Sequence, residues 1–331
     1  MKHYFILSIF LICWAITGCS NQAVLIIIDS SAGPEGIRYS VPISGTGYKG
    51  FAETVKKDKN EKFELYLKLN RSSFIYISDD DFQTNVKLLI QPGNNYCVSI
   101  YPDKTFHITG ANEKGQMLYA SLPDPDFIQA DIVRIVDPDN DSIPLNEFHT
   151  KALRLKQEEV SKFKALLNAN EITKSFYNLV EKDRDCYYAS LEAKFILLKV
   201  YVPVMLDMRI EKTLLEGLSN IYTQYPPNDN SLVFSSFWYE YAGFYINDYQ
   251  QFIQKDFELQ KFYNLRNEGV FHEYIIDESK KYLSGRALEF FSARYIHSGY
   301  LKSDERDERE FLSLLDQFKK NYPDSDYIKF F

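Results

Sequence analysis

Few side chains in the sequence have a type and spacing that could do chemistry. Cys97 and Cys186 lie far apart, and no Cys-x-x-Cys pair offers the adjacent thiols that a redox dithiol needs. No glycine-rich phosphate loop and no Gly-x-Ser-x-Gly sequence occur. The histidines show no His-x-x-x-His or His-Glu-x-x-His spacing, so they predict no zinc site: His107, His149, His272 and His297.

The spacing therefore predicts no catalytic residue, no metal and no cofactor, and we expect a protein that is not an enzyme. Serine or paired-carboxylate catalysis stays open, because such residues converge only in space. Cys97 falls in a predicted strand and Cys186 in a predicted helix. We expect isolated, partly buried thiols, with a disulfide in an oxidising compartment as the alternative.

One acidic stretch resembles part of a calcium-binding loop. Asp137, Asp139 and Asp141 occupy its first three ligand positions, but Ser142 stands where the loop needs Gly, and Phe148 stands where it needs a bidentate Glu. A solvated linker is therefore expected here, with a weak cation site as the alternative. The tripeptide 141–143 also matches the Asp-Ser/Thr-aliphatic O-glycosylation sequence of Bacteroidetes-like bacteria, which makes Ser142 a candidate for O-glycosylation.

The N-terminus has the features of a secretory signal. Lys2 precedes the apolar run 4–16, which is shorter than the about 20 residues that span a bilayer. The run leads into Ile-Thr-Gly-Cys, which resembles the bacterial lipobox. In that motif small residues fit the peptidase cleft, and the Cys thiol receives a diacylglyceryl group before cleavage.

We therefore expect residues 1–18 to form a lipoprotein signal peptide that is cleaved between Gly18 and Cys19, with lipid attached to Cys19. An ordinary secretory signal and an uncleaved anchor are the alternatives. No Asp follows Cys19, which in enterobacterial lipoprotein sorting favours the outer membrane. No acidic run follows of the kind that exports lipoproteins to the cell surface. The expected location is the cell envelope, lipid-anchored in the outer membrane and facing the periplasm.

Composition excludes two broad classes of protein. The 331 residues carry 38 Lys and Arg against 46 Asp and Glu, a net charge of −8. This acidic balance argues against a nucleic-acid partner, because nucleic acid needs faces rich in Lys and Arg. The 25 Tyr and 25 Phe supply ample apolar area to bury, which argues against disorder as the main state. The length suggests about two domains.

The first mature domain, residues 19–110, has the pattern of a sheet. In the segment 62–69, Phe63, Leu65, Leu67 and Leu69 alternate with more polar residues, as expected of a half-buried strand. The segment 91–95, Gln-Pro-Gly-Asn-Asn, consists mainly of residue types that favour a tight turn. Several short strands of this kind predict an antiparallel β-sandwich.

The rest of the chain has helical periodicity. We predict a linker with a short helix over 111–145 and an α-helical domain of roughly eight helices over 146–331. One apolar stripe contains Leu153, Val160, Phe163 and Leu167. A second stripe, from Tyr187 through Leu198 to Val202, is expected to end at Pro203. Further helical runs include one near 232–246, and the aromatic stripes in this part of the chain are expected to pack between helices, with a ligand groove as the alternative.

The order of these parts resembles a family of lipoproteins from Bacteroidetes-like bacteria. The shared features are the lipobox at Cys19 and the segments 88–96, 108–116 and 315–327. That family has an N-terminal sheet domain of unknown function, a helical middle and a C-terminal thioredoxin-like domain. The present sequence stops at Phe331, where that domain would begin, and lacks Trp-Cys-x-x-Cys. The resemblance thus implies the non-catalytic front part of such a protein.

The sequence as a whole predicts an α+β protein, with an N-terminal antiparallel β-sandwich followed by an all-α helical domain. Its expected role is a membrane-anchored, periplasm-facing docking module that binds a protein partner without catalysis. One alternative is an accessory or remnant part of a thioredoxin-like thiol-disulfide oxidoreductase whose catalytic domain is missing or supplied in trans. Another is a glycan- or peptide-binding lipoprotein, which a deep aromatic-lined pocket would favour.

Overall fold

The computed structural model describes residues 22–29, 36–43, 45–46, 48, 50–58, 62–78, 85–122, 143–205, 209–254 and 259–331. Strands come first along the chain and helices follow, which confirms the predicted α+β class. The strands are β1 (Gln22–Asp29), β2 (Gly36–Ser40), β3 (Ala52–Lys56), β4 (Phe63–Lys68), β5 (Ser73–Ser78), β6 (Asn85–Ile90), β7 (Asn95–Ile100) and β8 (Phe106–Gly110).

The strands form two four-stranded sheets, ordered β4-β1-β7-β8 and β3-β2-β5-β6. Their inner faces share one apolar core, into which β4 directs Phe63, Leu65 and Leu67. This is the alternation that the sequence shows, because successive side chains of a strand point to opposite faces. The pairing is sandwich-like and mostly antiparallel, but β1 pairs with β7 in parallel, with Val24 opposite Asn95.

The helices follow in chain order. They are α1 (Glu113–Ala120), α2 (Leu145–Asn168), α3 (Lys174–Met205), α4 (Lys212–Gln224), α5 (Trp238–Gly243), α6 (Leu259–Glu268), α7 (Phe271–Ser279), α8 (Gly285–Tyr300) and α9 (Glu305–Asn321). A π-helix (Phe244–Ile253) continues α5, and a 3-10 helix (Asp326–Phe330) lies near the C-terminus.

Two predicted helix limits are wrong. The helix α3 does not end at Pro203 but continues to Met205, since a proline so near the C-terminus interrupts only the last turn. The helix expected over 232–246 begins only at Trp238. Before it the backbone forms successive turns, in which Leu232 N donates to Asp229 O and Ser235 N donates to Leu232 O.

The outer face of the second sheet is covered by helices. Phe74, Tyr76 and Leu89 on this face pack against aromatic residues of α1, α2 and α3. Gln116 on α1 also bonds the backbone of Leu89 on the edge strand β6: its amide oxygen accepts from Leu89 N at 3.0 Å, and its amide nitrogen donates to Leu89 O at 2.6 Å. One side chain thereby takes the place of a strand partner, which protects a sheet edge from pairing elsewhere.

A loop of the sheet region also enters the core of the helical region. Ile43 and Phe51, which lie in the β2–β3 connection, belong to the same apolar cluster as residues of α2 to α5 and of α7 to α9. The Thr46 hydroxyl lies 2.7 Å from the Tyr327 hydroxyl of the 3-10 helix. The β2–β3 connection thus joins the two regions by buried contacts.

Candidate functional site

The candidate site is a groove between α2, α3 and α4, with a volume of about 1090 Å³. This is near the upper limit of ordinary ligand pockets. The helix α2 supplies one wall, α4 the other, and α3 the residues between them. Side chains that matter for its chemistry include His149, Leu153, Glu192, Leu198, Leu214 and Ile221.

Two leucines of the groove are exposed although each belongs to an apolar stripe of the sequence. Leu153 on α2 retains 42% of its accessible surface, and Leu198 on α3 retains 37%. Helical periodicity identifies an apolar stripe but does not show whether another element covers every member of it. Apolar side chains gathered in a concave surface are typical of a binding site.

An ion pair joins α2 to α3 inside the groove. His149 Nδ1 lies 2.5 Å from Glu192 Oε2; the His149 side chain is 57% exposed, and that of Glu192 is 16% exposed. Burial raises the pKa of the Glu192 carboxyl, and the hydrogen bond and charge of His149 oppose that rise.

A second polar connection reaches the other wall. Lys156 Nζ on α2 lies 2.5 Å from Asp185 Oδ1 on α3 and donates to the Tyr225 hydroxyl, which follows α4, at 3.0 Å. Burial alone would lower the pKa of Lys156. The hydrogen bonds and charges of Asp185 and Tyr225 have a larger effect in the opposite direction, so the pKa of Lys156 is raised. These contacts hold the three helices at fixed distances.

The arrangement places apolar side chains beside an oriented histidine. A histidine oriented by a buried carboxylate is the general-base half of a hydrolytic centre, which also needs a nucleophile. Among the described lining residues Thr213 carries an aliphatic hydroxyl, and no Ser or Cys is present. The exposed leucines and the His149 ring instead offer a partner both apolar contact and a hydrogen-bonding group.

The buried Glu192 predicts a pH-dependent stability. Because its folded pKa is raised, the carboxyl favours folding below its unfolded pKa, and this contribution is lost as the pH rises through the folded pKa. We expect Glu192→Gln to raise the free energy of unfolding at pH 8 and to change it little at pH 4, as measured by urea denaturation. Glu158→Gln is the control, since Glu158 forms an exposed pair with Arg154 that is worth less than about 0.5 kcal/mol. An equal effect of Glu192→Gln at both pH values would contradict the prediction.

The residues predicted to be modified lie outside the described ranges. This applies to Gly18, Cys19 and Ser142, and also to the acidic stretch 137–141. Lipidation, cleavage and glycosylation at these positions stay predictions.

The structure places the two predicted thiols apart. Cys97 lies half-buried on β7 and Cys186 is buried on α3, and both are free. Burial raises the pKa of both thiols. Raised pKa values disfavour the reactive thiolate.

The histidines are likewise not brought together. His107 lies 3.6 Å from Glu113, His272 contacts Tyr295 and Asp307, and the His297 ring packs on Phe51. Within the described ranges no three His, Cys, Asp or Glu side chains are arranged to hold a metal. In the same part of the chain no helix is long and apolar enough to cross a membrane.

No motif in the sequence identifies the His149–Glu192 pair. The two residues stand on different helices, 43 positions apart. Only the packing of α2 against α3 brings them together, and no spacing rule for a single helix detects such a pair. Comparison with protein-family models and with curated proteins found no match for the chain.

Proposed function

We propose that the protein is a lipid-anchored, periplasm-facing binding protein of the cell envelope, which holds a segment of a protein partner in the groove without catalysis. The signal-like N-terminus and Cys19 support the anchor. The observation that carries the binding role is the groove itself, in which Leu153 and Leu198 stay exposed beside the ordered His149–Glu192 pair.

A protein segment suits the groove for reasons of size and chemistry. The volume of about 1090 Å³ is large for a small molecule, and three helices form its walls, as in sites that receive an amphipathic helix. Apolar side chains of the partner would cover Leu153 and Leu198. Its polar groups would reach His149 and Lys199 at the rim.

The two alternative functions receive less support from the described residues. A glycan site would present aromatic rings, but the aromatic lining residues described here are Tyr188, which is buried, and Tyr225, whose hydroxyl already bonds Lys156. A role in thiol-disulfide exchange draws no support from Cys97 and Cys186, because burial raises both pKa values.

Photocrosslinking in intact cells tests the groove. With a photoreactive amino acid at Leu198 we expect one adduct of defined size, which disappears when Leu153 on the α2 wall is changed to Asp. The control position is Leu312 on α9, which is 44% exposed and lies outside the groove. Equal adducts at both positions, or an adduct at Leu198 that survives Leu153→Asp, would reject binding in the groove.

The anchor has its own test. Radioactive palmitate should label the wild type, and Cys19→Ser should abolish the label. An unlabelled wild type, or a Cys19→Ser protein that still takes up label, would reject the lipid anchor at Cys19 while leaving the groove result intact.

A further inference from the structure

The start of β1 fixes which part of the molecule can lie near a lipid attached to Cys19. Three residue steps separate Cys19 from Gln22, the first residue of β1, so extended chain reaches at most about 11 Å between them. A lipid held in the bilayer at Cys19 therefore keeps the N-terminal end of β1 close to the headgroups. This step rests on the proposed lipid anchor.

Hydrogen bonds connect this end of the first sheet to the α2–α3 turn. Val24 N on β1 donates to Asn94 O at 3.2 Å, in the turn before β7. In the same turn Gln91 Nε2 donates to Ser175 Oγ on α3 at 3.0 Å. The Asn112 side chain, just after β8, accepts from Thr173 N at 2.7 Å. The strand end and the helical turn thus form one continuous end of the molecule.

The exposed side chains at this end suit a headgroup layer. Three of them are cations: Lys68, which lies opposite Gln22, and Lys114 and Lys174 near the α2–α3 turn. Two carboxylates accompany these cations: Lys114 is paired with Glu171 of the turn, and the exposed Glu113 lies near His107. Their neighbours Asn95, Asn168 and Asn170 are exposed and polar. Lysines on a protein of net negative charge are attracted to anionic headgroups, while the polar amides stay hydrated.

We infer that this end, formed by the start of β1, the β6–β7 turn and the α2–α3 turn, rests on an anionic bilayer surface. The groove then lies on the far side. His149 and Asn168 are separated by most of the length of α2, roughly 30 Å along the helix axis. The orientation therefore presents the groove away from the membrane, where a periplasmic partner can enter it.

Energy transfer to labelled lipids tests the orientation. The mature lipidated protein, carrying Cys97→Ser, receives one donor dye at Asn168→Cys or, in a matched variant, at Lys212→Cys. Asn168 is the exposed last residue of α2, and Lys212 is 85% exposed at the start of α4, beside the groove. Each protein is bound to vesicles of phosphatidylethanolamine and phosphatidylglycerol with acceptor dye on the headgroups.

We expect at least twofold stronger transfer from position 168 than from position 212. Equal transfer, or stronger transfer from position 212, in protein that floats with the vesicles would overturn the orientation alone. Protein that fails to float with the vesicles would overturn the lipid anchor, and this orientation with it.

Discussion

Arg184→Met should lower the free energy of unfolding by about 3–5 kcal/mol, the range found when one partner of a buried ion pair is removed. The Arg184 side chain on α3 is fully buried. Its Nε lies 3.1 Å from Glu159 Oε2, and its Nη1 lies 3.6 Å from Oδ2 of the equally buried Asp183. Methionine fills a similar space but removes the larger of the two opposing charges that act on Asp183, the other being that of Lys87. Urea denaturation measures the loss.

The pH dependence of that loss follows from Asp183. Burial raises the pKa of this carboxyl, and Arg184, with hydrogen bonds from Ser235 and Tyr119, opposes the rise. Without Arg184 the ionised form of Asp183 destabilises the folded protein more. The variant should therefore lose more stability at pH 8, where Asp183 is more ionised, than at pH 5. In the double variant Asp183→Asn with Arg184→Met, part of the loss should be recovered.

Arg154→Met is the matched control. Arg154 forms an exposed pair with Glu158 one helical turn away, at 3.0 Å, and its loss should cost less than about 0.5 kcal/mol. If Arg184→Met lowered the free energy of unfolding no more than Arg154→Met does, the cluster of Arg184, Asp183 and Glu159 would not stabilise the contact between the sheets and α3.

Local pattern was enough to predict which segments form strands and helices. The alternation in 62–69 identifies the buried face of β4, because the period of a strand is fixed by its backbone. The same kind of pattern could not predict that β1 lies beside β7 in parallel, since a strand's own residues do not specify its neighbour. The two-sheet arrangement was therefore predictable, but the parallel pair within it was not.

The candidate site depends on tertiary packing, so most of it could not be predicted from the sequence. Leu153 and Leu198 match helical stripes, yet they stay exposed because α2, α3 and α4 diverge around the groove instead of closing over it. His149 and Glu192 meet only because α2 and α3 are antiparallel neighbours. The prediction at Cys19, by contrast, needs no tertiary contact, because signal peptides and lipoboxes are recognised as linear sequence, and it stays a prediction.

Phe51→Ala should cost about 3–5 kcal/mol, as other buried Phe to Ala changes do. The Phe51 side chain is 1% exposed. It follows a loop of the sheet region, yet its ring lies 4.8 Å from the His297 ring, 5.3 Å from the Tyr327 ring and 5.1 Å from the Phe330 ring. The cavity left by alanine would open at the contact between the β2–β3 connection and the C-terminal helices.

The shape of the unfolding curve shows whether this contact couples the two regions. In the wild type we expect one cooperative transition by circular dichroism and by tyrosine fluorescence, because the loop contributes to both cores. In Phe51→Ala the helical component of the circular dichroism spectrum should be lost at a lower urea concentration than the sheet component. Tyr66→Ala, at a 61% exposed position on β4, should cost less than about 1 kcal/mol and keep a single transition. If both signals of Phe51→Ala moved together, the coupling would depend on the Gln116 and Asp183 contacts at the other junction rather than on this loop.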